Sequence, residues 1–211
     1  MLHDIFTRLF AHFAPQRWWP GETPFEVMVG AILTQNTNWQ NVERAIAQLK
    51  STVAFTPHAI FALPPAMLAA AIRPAGYFNI KTGRLRNFLT YFVERYNGNV
   101  ETMRQQPIAQ LRTELLGVRG IGPETADSIL LYALDKPVFV VDTYTQRVLS
   151  RHYLVPEETT YDDVQSIFMD SLAHDVRHFN EYHALLVAVG KTFCRRTNPQ
   201  CEQCPLKGVN W

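Results

Sequence analysis

Hydrophobic and polar positions repeat along most of this 211-residue chain with the spacing of amphipathic helices. In WQNVERAIAQLK, residues 39–50, the apolar residues Val42, Ile46 and Leu49 recur on one side, and charged residues are available for the other. Prolines and glycines interrupt this pattern at helix-length intervals, where they typically mark helix starts and stops. The pattern therefore predicts an all-α fold built from many short helices.

Two segments refine this prediction. Residues 137–141, PVFVV, have the composition of a β-strand, and they fit a buried extended connection equally well. The first thirteen residues, MLHDIFTRLFAHF, predict an amphipathic helix and not a signal peptide, because they contain Asp4 and no small-residue cleavage site. No apolar run reaches the roughly 18 residues that a membrane-spanning helix needs, so we expect no membrane partner.

Composition limits the classes of partner. Apolar residues make up 47% of the chain and aromatic residues 12%, which argues against disorder. The net charge is only +1, from 20 basic and 19 acidic residues, so a surface that binds phosphate has to be a local patch. Two basic runs fit such a patch, and they fit ordinary solvated helix faces equally well. They consist of Lys81, Arg84 and Arg86, and of Lys191, Arg195, Arg196 and Lys207.

Residues 117–128, GVRGIGPETADS, predict a tight turn between two helices. Gly120 and Gly122 permit positive φ and close backbone approach, and Pro123 suits a first helical turn. The amides at the start of the second helix, with the helix dipole behind them, favour a phosphate. Taken alone, the motif fits an ordinary connection between two helices equally well.

Asp142 gives this hairpin a chemical context. It lies eighteen residues beyond Glu124, in VFVVDTYTQRV, where it opens a predicted helix and could act simply as its N-cap. Together with ILTQNT, GYFNIKTGRL and the terminal cysteines, all in the same order, these motifs resemble the helix–hairpin–helix DNA glycosylase superfamily of endonuclease III over nearly the whole chain. Within that superfamily they come closest to the 3-methyladenine DNA glycosylase subgroup.

The resemblance implies an architecture and an activity. It implies two helical lobes, residues 22–135 and residues 1–21 with 136–211, and a DNA-binding cleft between them. Asp142 would be the catalytic carboxylate of a DNA N-glycosylase in base excision repair. The expected partner is double-stranded DNA that contains a damaged base, bound by a monomer at the nucleoid of a bacterial cytoplasm.

Glu124 is where this chain departs from the bifunctional members of the superfamily. In those enzymes a lysine two residues after the hairpin glycines attacks C1′ of the sugar and forms the Schiff base that leads to strand cleavage. A carboxylate cannot form that imine, so we expect a monofunctional hydrolase in which Asp142 stabilises an oxocarbenium-like sugar or activates water. As a first-turn acid, Glu124 also complements the helix dipole.

Two other functions remain open. One is an endonuclease III-like glycosylase and AP lyase that acts on oxidised pyrimidines through a different lysine. Lys81 and Lys191 are available for that role, although their spacing does not favour either of them. The other is a non-catalytic DNA-binding protein that keeps the helix–hairpin–helix motif.

Three tryptophans predict a pocket for a flipped base, although tryptophans are also common in protein cores. Trp18 and Trp19 precede the ILTQNT helix, and Trp39 follows it. The resemblance implies that they stack on an alkylated purine, with Glu124 beside them. Such a base carries a positive charge, so stacking gains a cation–π attraction of about 0.5–2 kcal/mol.

The resemblance also implies a set of contacts with DNA. Gln35 would fill the gap left by the flipped base, although it also fits a polar residue at a helix end. Tyr77 and Phe78 would wedge into the duplex, and Lys81 would meet a phosphate. The full set of expected contacts is Gln35, Tyr77, Phe78, Lys81, Gly120, Gly122 and Thr125.

The three cysteines, Cys194, Cys201 and Cys204, lie within the last eighteen residues. An odd number confined to one segment does not suggest a disulfide framework and favours a reducing compartment. Their spacing resembles the iron–sulfur loop of endonuclease III, which implies a 4Fe-4S cluster as cofactor. The superfamily's fourth cysteine would fall at position 210, which is Asn210 here.

That departure leaves the metal chemistry open. The loop would suit a labile or three-iron cluster, or a cubane cluster with a fourth ligand other than cysteine. Zinc on three cysteines and a histidine is another option, and so is a degenerate loop without metal. Among these, we expect an inherited site of the cluster type.

Overall fold

The protein is described by a computed structural model that covers residues 1–16 and 18–209. Its regular secondary structure within these ranges is helical, without β-strands, which confirms the predicted all-α class. Short 3₁₀ turns occur at Arg73–Ala75 and Cys201–Gln203, and a π-helical turn at Ile129–Ala133. The α-helices are α1 (Leu2–Phe13), α2 (Pro24–Leu33), α3 (Trp39–Thr52), α4 (Pro57–Ala62), α5 (Pro65–Ala71), α6 (Phe78–Tyr96), α7 (Val100–Arg104), α8 (Ile108–Gly117), α9 (Pro123–Ser128), α10 (Thr143–Arg151), α11 (Tyr161–Ser171) and α12 (Val176–Thr192).

Local chemistry explains where many of these helices begin. A side-chain oxygen just before the helix accepts a hydrogen bond from an amide of the first turn, which would otherwise lack a partner within the helix. Proline occupies the first turn of α2, α4, α5 and α9, as its missing N–H allows. The capping residues are Thr23, Asn38, Thr56, Asn99, Asp142, Thr160 and Asp175.

The chain forms two compact units, one made of Met1–Trp19 with Pro137–Trp211 and the other of Pro20–Lys136. In the Pro20–Lys136 unit, every residue of α2 from Phe25 to Leu33 is buried, and α2 packs against α6 and the π-helical turn. In the other unit, α12 packs against α1 and α10. The sequence predicts two separate domains, residues 22–135 and residues 1–21 with 136–211. That division into domains stays a prediction.

The first helix, α1, has the amphipathic pattern that the sequence predicts. Leu2, Ile5 and Leu9 are buried, whereas Asp4 and Arg8 form an exposed ion pair at 3.1 Å. Among the described residues, no helix is both long enough and apolar enough to cross a membrane.

The apolar segment at residues 137–141 is a buried connection and not a β-strand, which decides between the two interpretations that the sequence left open. Side chains supply the hydrogen bonds that a neighbouring strand would give. The carbonyl of Phe139 accepts from Nε2 of Gln165 at 2.6 Å, and the amide of Val141 donates to the hydroxyl of Tyr161 at 3.3 Å. The chain emerges from this connection directly at Asp142.

A buried ion pair joins α8 to α9, the two helices of the predicted hairpin. Nε and Nη2 of Arg112 lie 2.9 and 3.2 Å from the two carboxylate oxygens of Asp127. The Asp127 side chain is fully buried, and that of Arg112 is 26% exposed. A paired fork of this kind fixes the orientation of both helices as well as their separation.

We expect Asp127→Ala to lower the free energy of unfolding by about 3–5 kcal/mol, because it leaves a largely buried guanidinium without its carboxylate. Urea denaturation followed by circular dichroism measures this loss. The control is Asp4→Ala, which removes an exposed ion pair and should cost less than about 1 kcal/mol. Equal losses in the two variants would contradict the role given to the buried pair.

Candidate functional site

The carboxylate of Asp142 is held at the start of α10. Its Oδ1 accepts hydrogen bonds from the amide of Thr145 at 2.8 Å and from the Thr145 hydroxyl at 3.0 Å. Its Oδ2 lies 3.6 Å from Nε2 of His183 on α12. The Asp142 side chain is 13% exposed, so this carboxylate is largely withdrawn from water.

Two opposing effects set the pKa of Asp142. Burial raises the pKa, but His183 and the two hydrogen bonds from Thr145 outweigh it, so the pKa lies below its usual value. The carboxylate is therefore ionised at neutral pH. One oxygen caps the helix while the other faces His183, so the N-cap interpretation and a chemical role are compatible.

Sequence reasoning did not identify His183. It lies in the apolar run from Tyr182 to Leu186, and all of these residues are buried in α12. A single histidine within such a run usually belongs to the core, so the local pattern carried no signal. The packing of α10 against α12 brings it to Asp142.

Aromatic side chains and a lysine lie near each other in the same compact unit. Tyr144, two residues after Asp142, packs so closely on Gly190 that a Cβ there would be 2.5 Å from the ring. The Nζ atom of Lys191 lies 5.7 Å from the ring centroid of Trp18 and 5.9 Å from that of Tyr144. Trp18, Tyr144 and Lys191 thus form one cluster, of which the sequence analysis named Trp18 for the base pocket and Lys191 as an available lysine, but not Tyr144.

The other predicted base-pocket residues belong to both compact units. Trp19 is half-buried and meets Trp18 edge-on, with ring centroids 5.5 Å apart. Trp39 is half-buried as the first residue of α3 and belongs to the Pro20–Lys136 unit. Glu124 is exposed in the first turn of α9. Of the four predicted pocket residues, the structure brings Trp18 and Trp19 together.

Side chains from outside the hairpin brace its turn. Nε2 of Gln35 donates to the carbonyl of Gly120 at 3.1 Å and to the hydroxyl of Thr125 at 2.9 Å. Arg84 in turn hydrogen-bonds Oε1 of Gln35, and Asn87 donates to the carbonyl of Arg119 at 2.9 Å. Gln35 and Thr125, both predicted to contact DNA, are therefore engaged with each other, and Thr125 is buried.

The two hairpin glycines differ in what they require. Gly120 has a φ of +96°, and a Cβ there would collide with the side chain of Arg84. Gly122 has a φ of −98°, which any residue can adopt, so of the two glycines only Gly120 uses the positive φ that glycine permits. No heavy atom lies within 4 Å of a Cβ built on Gly122. Gly120 is thus needed for the turn itself, and Gly122 leaves open space beside it.

The prediction that Lys81 binds phosphate disagrees with the structure. Lys81 is 1% exposed, and its Nζ donates to the carbonyls of Leu33 at 2.8 Å and Ala75 at 2.7 Å. Burial, with a smaller contribution from nearby Arg84, lowers its pKa to about 8. Lys81 therefore serves as an internal donor that ties together three segments of its unit.

The predicted wedge residues differ in exposure. Tyr77 precedes α6 with a φ of +47° and is 67% exposed. Phe78 is half-buried, with the guanidinium of Arg73 at 5.8 Å from its ring. Ile80, which the sequence analysis did not select, is 56% exposed. Tyr77 and Ile80 are thus the apolar side chains at this helix start that a partner can reach.

The three cysteines line one cavity of about 220 Å³ against α10. Two arginines of α10 fix the loop: Arg147 donates to the carbonyl of Cys194 at 2.7 Å, and Arg151 donates to the carbonyl of Arg195 at 2.7 Å. Burial, followed by the proximity of the other two thiols, raises the pKa of Cys204.

Their chemistry and shared cavity fit a metal group bound by thiolates. No three His, Cys, Asp or Glu side chains within residues 1–16 and 18–209 are gathered closely enough for a single ion. Asn210, at the position of the superfamily's fourth cysteine, lies outside the described residues.

Comparison with known proteins agrees with this geometry. The profile of the HhH-GPD superfamily of base excision DNA repair proteins matches residues 29–174. A candidate DNA repair glycosylase of Methanocaldococcus jannaschii is 46% identical over 98% of this chain and 94% of its own length. Endonuclease III of Thermotoga maritima is 29% identical over 87% of this chain and 81% of its own.

Solved structures show the same fold. An H. pylori 3-methyladenine DNA glycosylase bound to 1,N6-ethenoadenine has a TM-score of 0.76 and 26% identity, over 90% of this chain and 97% of that one. A non-covalent complex of endonuclease III with DNA has a TM-score of 0.82 and 23% identity, over 98% and 93% of the two chains. This chain therefore belongs to the HhH-GPD superfamily of base excision repair proteins and is a DNA glycosylase.

Proposed function

We propose that this glycosylase is monofunctional and hydrolyses the N-glycosidic bond of alkylated purines such as 3-methyladenine. The observation that carries the proposal is the pair of acids at the two key positions. Asp142 is a carboxylate that its surroundings keep ionised, and Glu124 stands where bifunctional relatives have the lysine that forms a Schiff base.

Asp142 would act electrostatically on the sugar. As the bond between base and sugar breaks, its electron pair leaves with the base, and positive charge develops at C1′ and the ring oxygen. A fixed carboxylate stabilises that charge without having to reorganise. Because α10 holds Oδ1, Oδ2 would be the atom that faces the sugar or the attacking water, with Nε2 of His183 3.6 Å from it.

An alkylated purine suits this chemistry because it already carries a positive charge. It leaves as a neutral base, so its departure requires no proton from the enzyme. The aromatic residues Trp18, Trp19 and Trp39 would distinguish such a base from a neutral one by cation–π attraction. The fold shared with a 3-methyladenine glycosylase that binds ethenoadenine supports a purine as the substrate.

The hairpin would bind the DNA backbone. Gly120 shapes the turn, and the open space beside Gly122 would let a phosphate approach the amides at the start of α9. Tyr77, with Ile80 beside it, would press into the duplex and Gln35 into the gap. Since these phosphate contacts carry no sequence information, binding should depend strongly on salt and little on sequence.

One observation favours a second candidate function, a glycosylase with lyase activity. Lys191 lies in the same cluster as Trp18 and Tyr144. Tyr144 is only two residues from Asp142 along the chain. The relatives of this chain include proteins named endonuclease III. Lys81 is a poor alternative, because its ammonium is buried on two carbonyls.

Asp142→Asn should reduce base release from methylated duplex DNA by at least about 100-fold, because it removes the charge that faces the sugar. Thermal stability should change little, since asparagine caps a helix as well as aspartate. The matched control is Asp175→Asn, which alters the cap of α12, where Asp175 accepts from the amide of His178 at 2.7 Å. Unchanged release in Asp142→Asn, or equal loss in the control, would mean that Asp142 is only a cap.

Borohydride trapping tests the monofunctional assignment. The wild-type protein should give no covalent adduct with DNA, and Glu124→Lys should give one, because it supplies an amine at the position used by bifunctional relatives. Glu101→Lys is the control, since Glu101 is a first-turn acid of α7 in the same unit. An adduct in the wild type that Lys191→Ala abolishes would instead establish the lyase function.

Trp39→Ala should lower kcat/KM for release of 3-methyladenine by roughly 2–30-fold, which corresponds to the loss of a cation–π attraction. Release of hypoxanthine, a neutral purine, should fall less. The measurement compares base release from a panel of duplexes, each with one altered base: 3-methyladenine, hypoxanthine, 7-methylguanine, uracil or an oxidised pyrimidine. Trp39→Phe is the conservative variant. Release confined to oxidised pyrimidines would reject the alkylated-purine substrate.

A further inference from the structure

A histidine shares the cavity of the three cysteines. His152 directly follows α10, is half-buried, and lines the same cavity as Cys194, Cys201 and Cys204. Sulfur and imidazole nitrogen from these four residues form a Cys₃His set, which is an established set of metal donors. Because His152 lies more than forty residues before the first cysteine, the spacing of the loop does not reveal it.

One ring nitrogen of His152 is held by a backbone carbonyl, as is common in histidines that bind metals. Its Nδ1 lies 3.2 Å from the carbonyl of Val209, so an Nδ1–H donates there and the lone pair is left on Nε2. Histidines that bind metals are almost always held in this way, with the other ring nitrogen donating to a carbonyl or carboxylate. In the sequence, Val209 immediately precedes position 210, where the superfamily's fourth cysteine would fall.

A competing donor and a supporting cation line the same cavity. Glu202 is the other side chain with oxygen donors there, but its carboxylate pairs with Lys207 and is 85% exposed. Arg151 places Nη1 at 3.5 Å from Sγ of Cys194, so a positive charge stands next to one of the three sulfur donors. The surroundings thus favour His152 over Glu202 as the fourth donor.

The size of the cavity indicates what kind of group the set would hold. Its volume of about 220 Å³ is many times the roughly 10–15 Å³ that a cavity needs to hold one water molecule. A single zinc ion with ligands at about 2.0–2.3 Å needs no such space. A polynuclear cluster does need it, and imidazole ligation of iron–sulfur clusters is known.

We propose that Nε2 of His152 is the fourth ligand of an iron–sulfur cluster bound by Cys194, Cys201 and Cys204. Replacement of a thiolate by a neutral imidazole makes the cluster less negative by one charge. The reduction potential should therefore be higher than with four cysteines. This proposal concerns the cysteine loop and does not depend on the substrate of the glycosylase.

The test is spectroscopic and uses the full chain, purified without oxygen. Iron and sulfide assays should give about four of each per chain. Pulsed EPR of the dithionite-reduced protein should show hyperfine coupling to nitrogen, which changes when the histidines carry ¹⁵N. His152→Ala should lose most of the iron. The matched control is His174→Ala, which removes an exposed histidine that also bonds a carbonyl, that of Met169 at 2.8 Å, and it should keep the cluster.

His152→Cys keeps the proposal testable if His152→Ala fails to fold. This variant should hold a four-iron cluster that lacks the nitrogen coupling and has a lower reduction potential. A full iron content in His152→Ala, or a wild-type cluster without nitrogen coupling, would overturn the proposal. So would a wild-type protein purified with zinc or without metal.

Discussion

A carboxylate that stays ionised while largely buried is the constraint on which the arrangement of the Pro137–Trp211 segment depends. Burial by itself would favour the protonated form of Asp142. The protein prevents this with the first turn of α10 on one oxygen and His183 on the other. The buried connection before Asp142, the start of α10 and the packing of α10 on α12 all serve to keep these groups in place. A change in any of them alters the charge as well as the position of the carboxylate.

Under the proposed function, the hairpin faces the opposite electrostatic problem, since it would have to attract an anion in a chain of almost zero net charge. Its backbone amides can bind an anion without a cationic side chain, provided that their positions are fixed. The brace from Gln35, Arg84 and Asn87 provides that rigidity, and the Arg112–Asp127 pair fixes the helices on either side. The positive side chains of Arg84 and Arg112 therefore help to build the turn and its flanking helices.

The sequence predicted the features that depend on neighbouring residues. The helical class, the turn at Gly120 and the helix start at Asp142 all follow from local patterns, and the structure has each of them. Features that depend on tertiary packing could not be found in this way. In the sequence, Lys81 has the pattern of a surface lysine. Only the packing of α6 buries it and brings its ammonium to the carbonyls of Leu33 and Ala75. His183 and His152 acquire their partners from segments far along the chain, so neither gave a local signal.

Gln35 can enter DNA only by giving up the hydrogen bonds through which it braces the hairpin. In the free protein its amide already holds three hydrogen bonds, to Gly120, Thr125 and Arg84. If Gln35 fills the gap left by a flipped base, it has to exchange these bonds for others of comparable strength. An intact duplex, with every base edge already paired, offers no such replacements, whereas an orphaned base does. Insertion of Gln35 would therefore be favourable only opposite an unpaired base, so the enzyme would scan intact DNA with Gln35 still bound to the hairpin.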